Sequence, residues 1–334
     1  MKYFLYQLQF DTPIHFGNAE EGGKLEQSGM TYRADTLFSA LCYELAAATD
    51  NIGIQHLYKQ AQTGALLFSD LFPYYVDEKD CSFYIPKPVL SVEWNERSVN
   101  GYDSIRKDAT MQKRIKKRTF IQISQLGSYL EALKSGKMMS WDMPILGHSE
   151  LMVRVNCTEE ESRPYYVNQF TFTDKAGLYG IVAYEYDEDR KWICGVLQNI
   201  GLSGIGGKRS SGYGKFHFFD DPIDLDSIGI YKDDSVLYDM LTNENALRYM
   251  NISIVLPNAT DVDIVKKGQY VICKRSGFIM PDGVSKTVKK NDVYMLQAGS
   301  CFPEKIKGMI TSVSDTLNHP VWRYGKGLYV GLMV

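Results

Sequence analysis

The sequence has no apolar run that approaches the ~20 residues needed to span a bilayer. Its amino terminus, MKYFLYQLQF, is too short and too polar for a secretory signal peptide. Together these two absences predict a cytoplasmic protein without a membrane segment.

The sequence also lacks a recognisable metal site. Its six cysteines include no CxxC pair and have no histidine nearby at metal-ligand spacing, so they are predicted to be small buried apolar residues. Two acidic clusters, Glu159–Glu161 and Asp187–Asp189, lack the spacing of a closed oxygen cage and are interpreted as solvated turns. We therefore predict neither a metal nor any other cofactor.

An excess of positive charge is missing as well, because the formal net charge is -3. This excludes a protein that binds nucleic acid with its whole surface, since phosphate contacts need concentrated Lys and Arg. One local concentration exists, in Arg106-Lys107 and Lys113–Arg118, within a weakly patterned stretch at about 91–150 that we interpret as an insertion. The basic run is either an RNA-facing hairpin, a thumb, or a solvated helix face.

The order of predicted elements indicates an α+β fold with two domains, at 1–220 and 221–334. A half-buried strand at 3–10 precedes a helix with Asp35 as its N-cap, and a second helix has a buried stripe from Trp192 to Ile200. Further strands are predicted at 66–90, 151–155, 165–172, 178–186 and 213–219. This order is typical of a ferredoxin-like unit, with both helices on one sheet face and the other face free to bind.

The second domain is predicted to be smaller and rich in β-structure. It follows an acidic and polar stretch, with strands at 252–257, 270–280 and 293–302 and at the carboxyl end, and with little helix signal.

A glycine-rich loop, Gly201 to Gly214, lies between the second helix and the last strand of the first domain. Its glycines permit positive φ and close backbone approach, so that successive N–H groups can hold a phosphate beside Lys208, Arg209 and Lys215. The register excludes a P-loop and a dinucleotide fingerprint. The loop therefore indicates phosphate binding and leaves the ligand open, with a flexible connector as the alternative.

The loop and its position resemble the RAMP superfamily. Three stretches, Thr12–Gly17, Ala34–Leu41 and His319–Lys326, are similar to signature segments of the family of fourth Csm subunits in type III-A CRISPR effector complexes, with Ala34 in place of an expected Ser. The resemblance implies two ferredoxin-like domains, the second of them degenerate. It also implies a non-catalytic subunit that grips the 5′ repeat-derived tag of the CRISPR RNA.

The implied partners are the large polymerase-cyclase subunit and the first backbone RAMP subunit, with target RNA reached only indirectly. Tyr213 is the preferred residue for stacking on a base, whereas Trp322 is expected to be buried. The residues assigned to RNA binding are His15, Phe16, Gly17, Arg33, Lys113, Arg114, Lys116, Lys117, Gly204, Gly206, Gly207, Lys208, Arg209, Ser210, Ser211, Gly212 and Tyr213.

Two other functions stay open. One is a RAMP endoribonuclease that processes CRISPR repeat RNA with His15 as its general acid or base. The other is a binder of small phosphorylated molecules outside CRISPR systems.

Overall fold

The computed structural model describes residues 1–17, 24–78, 80–91, 102–137, 139–157, 161–279, 288–314 and 319–333, without the side chains of 102–105, 107 and 108. The predicted acidic turn at Glu159–Glu161 therefore lies mostly outside the described residues, as does part of the loop between 17 and 29 and the Lys107 side chain.

Fifteen helices and strands lie in the first two thirds of the described chain. They are β1 (Lys2–Phe10), α1 (Ala34–Ala47), α2 (Asn51–Thr63), β2 (Leu66–Phe68), β3 (Phe72–Asp77), β4 (Asp80–Pro86), α3 (Tyr102–Lys117), β5 (Phe120–Gln122), α4 (Ile123–Lys134), β6 (Gly147–Cys157), β7 (Ser162–Phe172), β8 (Ala176–Tyr184), α5 (Asp187–Ser203), β9 (Phe216–Phe218) and β10 (Ile223–Asp224).

The remaining elements are mostly short strands. They are α6 (Lys232–Thr242), β11 (Arg248–Asn251), α7 (Val262–Lys266), β12 (Ile272–Arg275), β13 (Phe278–Ile279), β14 (Val288–Lys289), β15 (Val293–Leu296), β16 (Cys301–Phe302), β17 (Thr311–Ser312), β18 (Trp322–Arg323) and β19 (Tyr329–Leu332). Helix α6 packs on β19 and β4 and is the one clear helix that the pattern of this region does not predict.

The central sheet has the strand order β10-β1-β8-β3-β4-β5, with β2 also paired to β8 and β9 also paired to β1. All of these pairs are antiparallel, and every residue of β8 is buried. Helices α1, α2 and α5 pack together on one face. The mixture of helices and sheets confirms the α+β class, and the 220/221 domain division stays a prediction.

The expectation that the other sheet face is free is wrong. Leu5 of β1 and Ile181 of β8 lie on that face in a second core, together with Leu237 of α6, Met250 of β11 and Val330 of β19. Strand β1 is therefore covered on both sides, which is why its central residues are all buried and not alternately exposed. Elements of the carboxyl-terminal third therefore cover the sheet face that the sequence pattern predicts to be free.

The region from 91 to 150 is partly built into this sheet. β5 pairs with β4 at the sheet edge, and Ile123, Leu126 and Leu130 of α4 are buried in the second core. The basic run lies on α3, which is a helix and not a hairpin. The longest hairpin-like pair among the described residues is instead β6–β7, paired without interruption from Gly147↔Phe172 to Cys157↔Ser162.

Three smaller expectations also need correction. Cys157 is exposed and Cys42 and Cys194 are half-buried, so only half of the six cysteines are buried. Asp187–Asp189 begins α5 and does not form a turn. The last predicted strand shortens to β9, which leaves Tyr213 in the loop.

Two absences hold for the part of the chain that the structure describes. No cluster of three or more His, Cys, Asp or Glu side chains there could hold a metal ion. Among the same residues, no helix has the length and apolar character that crossing a membrane requires.

Candidate nucleic-acid interface

The glycine-rich loop is held against the segment that follows β1. The N–H of Gly207 donates to the carbonyl of His15 at 2.8 Å, and the N–H of Gly214 donates to the carbonyl of Pro13 at 2.9 Å. The N–H of Lys215 donates to a side-chain hydroxyl of the same segment, 2.9 Å away. The first signature stretch and the loop thus form one fixed unit.

Gly206 is required where the loop crosses this segment. Its φ is +89°, which disfavours any residue with a Cβ. A Cβ there would also lie 2.6 Å from Cδ1 of Phe16 and 2.7 Å from the carbonyl oxygen of His15. The close approach of two backbones therefore explains this glycine as much as its φ does.

The free N–H groups of the loop lie at a short turn after Gly207. Lys208 has a φ of +61°, and Arg209–Ser211 form a single 3-10 turn. Among the described residues, no backbone carbonyl accepts a hydrogen bond from the N–H groups of Lys208, Arg209 and Ser210. Three successive free N–H groups form the kind of concavity that binds an anion. Within the loop that is predicted to bind phosphate, this turn is therefore the segment suited to do so.

Both cations of the turn lie over aromatic rings. The Lys208 ammonium is 4.7 Å from the ring centre of Tyr165, and the Arg209 guanidinium is 4.4 Å from that of Tyr43. A ring orients a cation without neutralising it. The two positive charges therefore stay available to a phosphate.

Tyr213 does not present a stacking surface. It is buried, its hydroxyl donates to Oε1 of Gln169 at 2.6 Å, and it accepts a hydrogen bond from Arg154 at 3.1 Å. Its role is to join the loop to the base of the β6–β7 hairpin. Trp322, expected to be buried, is half-buried and stacks on Tyr58 at 4.2 Å.

His15 and Phe16 are likewise buried, and Gly17 is exposed. Nδ1 of His15 lies 2.7 Å from the carbonyl oxygen of Asn168, which can only accept, so this nitrogen carries the proton. The Phe16 ring packs 4.7 Å from Tyr32. Both residues pack against the loop on its buried side. An imidazole that is buried and hydrogen-bonded in this way is poorly placed for general acid–base catalysis.

A cavity of about 470 Å³ opens beside this unit. It brings together five of the predicted residues, and its other lining residues are mostly polar. The lining consists of Phe16, Gly17, Gln27, Ser28, Gly29, Thr31, Tyr32, Arg33, Thr36, Asn168, Gly206, Gly207 and Arg275. Asn168 and Arg275 were not predicted from the sequence, since no local motif marks them.

Arg275 is held in the cavity wall by Asp35. The carboxylate accepts from Nε and Nη2 of Arg275 at 2.9 and 3.0 Å and from Nη1 of Arg323 at 2.6 Å. Burial alone would raise the pKa of Asp35, but the two guanidinium groups outweigh it and lower the pKa to about 2. The predicted N-cap is therefore an ion-pair centre that joins α1 to β12 and β18.

Asp70, and not Asp35, caps the N-terminus of α1. Its Oδ1 accepts from the N–H of Ala34 at 2.8 Å and from the N–H of Ile254 at 3.0 Å, so it also ties α1 to the chain after β11. Burial raises the pKa of Asp70 to about 6, although these hydrogen bonds oppose the rise.

Asp70→Asn is expected to change how stability depends on pH. Because the folded pKa exceeds the unfolded value of about 3.9, folding binds a proton between the two, and the contribution of Asp70 to stability falls as pH rises from about 4 to 6. Asparagine keeps the accepting oxygen and does not titrate. Urea unfolding from pH 4 to 7 should show the difference between wild type and variant shrinking or reversing over this range; a difference independent of pH would contradict the assignment.

The basic residues of α3 are not brought to this site. Lys113, Arg114, Lys116 and Lys117 are all exposed. Helix α3 leads into β5 at one end of the sheet, whereas the loop leads into β9 beside β1, five strand spacings or roughly 24 Å away. The predicted RNA-binding residues therefore form two separate groups.

Family models match most of the chain. A model described as the RAMP superfamily matches residues 7–217, and one described as the CRISPR Csm4 C-terminal domain matches residues 244–332. The first covers well over half of the chain, including the glycine-rich loop.

Proteins that match this chain over nearly their whole length carry the Csm4 name. A protein named CRISPR system Cms protein Csm4 from Mycobacterium tuberculosis H37Rv is 28% identical over 98% of this chain and 97% of its own length. One of the same name from Streptococcus thermophilus is 26% identical over 100% of both.

The structures share the fold at lower identity. A Csm3-Csm4 subcomplex of the type III-A CRISPR-Cas interference complex has a chain with a TM-score of 0.63 and 15% identity, covering 99% of both chains. A chain of a Csm1-Csm4 cassette in complex with cA4 has a TM-score of 0.60 and 18% sequence identity, and the match covers 99% of this chain and 98% of that one. The resemblance seen in the sequence is confirmed, and the chain belongs to the RAMP superfamily, in the branch formed by the Csm4 subunits.

Proposed function

We propose that the chain is a non-catalytic, CRISPR RNA-binding subunit of a type III-A interference complex and grips the 5′ repeat-derived tag. The observation that carries the proposal is the cavity at which the glycine-rich loop, the segment after β1 and Arg275 meet. The turn at Lys208–Ser211, with two cations that lie over aromatic rings, directly follows Gly207 of the cavity lining.

The chemistry of the cavity suits single-stranded RNA. Amide and hydroxyl side chains such as Gln27, Thr31 and Asn168 can pair with the edges of an unstacked base, and Arg275 can meet a phosphate. Most of the remaining surface carries no excess of positive charge, in keeping with a net charge of -3. Binding is thus expected to be confined to a short stretch of the guide.

Solved structures that share the fold support the proposed protein partners. The structural neighbours come from a subcomplex of Csm4 with Csm3 and from a cassette of Csm4 with Csm1. By analogy, this chain joins the large polymerase-cyclase subunit to the first backbone subunit in the cytoplasm and meets target RNA only indirectly. The strand order β9-β1-β8-β2 supports a ferredoxin-like first domain, and the short strands after β10 support a degenerate second one.

An endoribonuclease that uses His15 has weaker support. The ring is buried beneath Gly207 and bound to the Asn168 carbonyl, so a phosphate has little access to it. The purified protein is expected to leave CRISPR repeat RNA intact. Cleavage that disappears in His15→Ala would establish the enzymatic alternative.

Lys208→Ala combined with Arg209→Ala is expected to weaken binding of tag RNA about tenfold or more, since two phosphate contacts are lost. Filter binding over a salt series should also show the slope of log K against log salt reduced by about 1.4, at ~0.7 for each contact to a single strand. The matched control is Lys266→Ala with Lys267→Ala, an adjacent exposed pair in the carboxyl-terminal third of the chain. Equal losses in both double variants would contradict the proposal.

A further inference from the structure

A second cavity, of about 370 Å³, lies between α3 and α4 at the β5 end of the sheet. Its floor is apolar, and its lining contains no carboxylate. The lining includes Leu90, Ile115, Lys116, Leu133, Lys137 and Met139. We call this cavity the α3–α4 groove.

The apolar side chains of the groove are only partly covered by the chain itself. Leu90, Ile115, Leu133 and Met139 are half-buried although each packs against the second core. Covering such a surface with another apolar surface removes it from water, which is favourable. Met139 adds a flexible side chain that adapts to different apolar partners.

The rim of the groove is strongly positive. Lys116 and Lys137 line it and are exposed, and Lys113, Arg114 and Lys117 follow along the same helix end. The third lining cation, Lys87, is already bound, because its ammonium donates to the carbonyl of Ile115 at 2.8 Å. The groove therefore combines an apolar floor with exposed cations at its edge.

This combination fits a protein segment better than RNA. Single-stranded RNA is bound by a positively charged groove combined with exposed aromatic planes on which bases stack. Tyr129 supplies the one ring among the lining residues, and it is buried edge-on against Trp141 at 5.2 Å. A helix with apolar anchors at i, i+3, i+4 and i+7 matches a short groove, and acidic residues beside the anchors would meet the lysines.

We propose that the α3–α4 groove docks an acidic amphipathic helix of another protein chain, with apolar side chains between α3 and α4 and carboxylates beside Lys116 and Lys137. The proposal does not depend on RNA binding at the glycine-rich loop, which lies at the opposite end of the sheet. It assigns the basic run on α3 to protein contact and explains why the run stands apart from the RNA site.

The first test uses two labelled synthetic helices of about 18 residues, long enough to be helical, with identical leucine anchors and either Glu or Lys at the remaining positions. Fluorescence anisotropy with the full chain should show the Glu peptide binding about tenfold or more tightly than the Lys peptide. Lys116→Glu with Lys137→Glu should reverse this preference. Lys59→Glu with Lys191→Glu, two exposed lysines outside the groove, should leave it unchanged.

Three results would overturn the proposal: equal binding of both peptides, the same reversal in the control variant, or a loss of tag-RNA affinity in Lys116→Glu with Lys137→Glu. The last would place RNA on α3 while leaving the glycine-rich loop to be tested by its own variants. Reversal of preference requires a folded groove, so a merely misfolded variant cannot imitate it.

A second test identifies the occupant in the assembled complex. A photoreactive residue in place of Leu133 should cross-link to an acidic helical segment of a neighbouring subunit, located by mass spectrometry. A cross-link to RNA, a cross-link within this chain, or no cross-link at all would count against the proposal.

Discussion

Asp35→Asn is expected to lower the free energy of unfolding by about 3–5 kcal/mol, because it leaves two guanidinium groups buried without a counter-charge. Asp35 is fully buried, and its carboxylate receives three hydrogen bonds from Arg275 and Arg323. Asparagine keeps the shape of the side chain, so the loss reports charge and not volume. Urea unfolding at pH 7 measures it.

Asp187→Asn is the matched control for this substitution. Asp187 also pairs with a cation, Lys2 at 2.7 Å, but both side chains are mostly exposed. Exposed pairs contribute about 0–1 kcal/mol, so the control should stay close to wild type. A similar effect of both substitutions would show that the buried pairs contribute no more than surface ones.

The contribution of Asp35 should also depend on pH in a defined direction. Its folded pKa, about 2, lies below the unfolded value. The stabilisation is therefore fully present above about pH 4 and is lost as pH falls towards 2. This direction is opposite to that expected for Asp70, whose stabilising contribution is greatest at low pH.

Gly206→Ala is expected to cause the second large effect, on RNA binding. The residue has positive φ, and the added Cβ would collide with Phe16 and the His15 carbonyl. The loop must then move away from the segment after β1, which changes the wall of the cavity. We expect affinity for tag RNA to fall about tenfold or more, a change of at least ~1.4 kcal/mol in binding free energy.

Gly64→Ala separates this collision from the cost of the backbone conformation. Gly64, at the end of α2, has a φ of +89°, the same as Gly206, but a Cβ there would meet nothing within 4 Å. Both variants should lose about 1–2 kcal/mol of stability from φ alone, and only Gly206→Ala should lose most of its RNA affinity. Equal affinities would show that the close approach at Gly206 does not shape the RNA site.

Helices with a clean apolar stripe could be predicted from the sequence. Leu37, Leu41 and Leu45 of α1 follow the helical period, and all three are buried. Helix α2 could not be found in this way, because polar residues interrupt its pattern and only Gly53, Leu57 and Ala61 are buried. Local periodicity shows an element only when one wide stripe of it is covered.

Only part of the candidate site could be predicted from the sequence, for a related reason. The glycine-rich loop carries its own local signal, since positive φ and close approach both demand glycine. Arg275 has none, because it reaches the cavity through Asp35, 240 residues earlier in the chain. The sequence does not show that Tyr213 is buried, because an aromatic residue beside cations gives the same local pattern whether it is exposed or buried.

The central claim is that tag RNA lies in the cavity beside the glycine-rich loop. Tag RNA carrying 4-thiouridine at single positions, cross-linked in the assembled complex and mapped by mass spectrometry, tests it most directly. The cross-links should fall on cavity and loop residues such as Gln27, Asn168, Lys208 and Arg275. Cross-links confined to α3 or to the β6–β7 hairpin, with none in the cavity, would contradict the account.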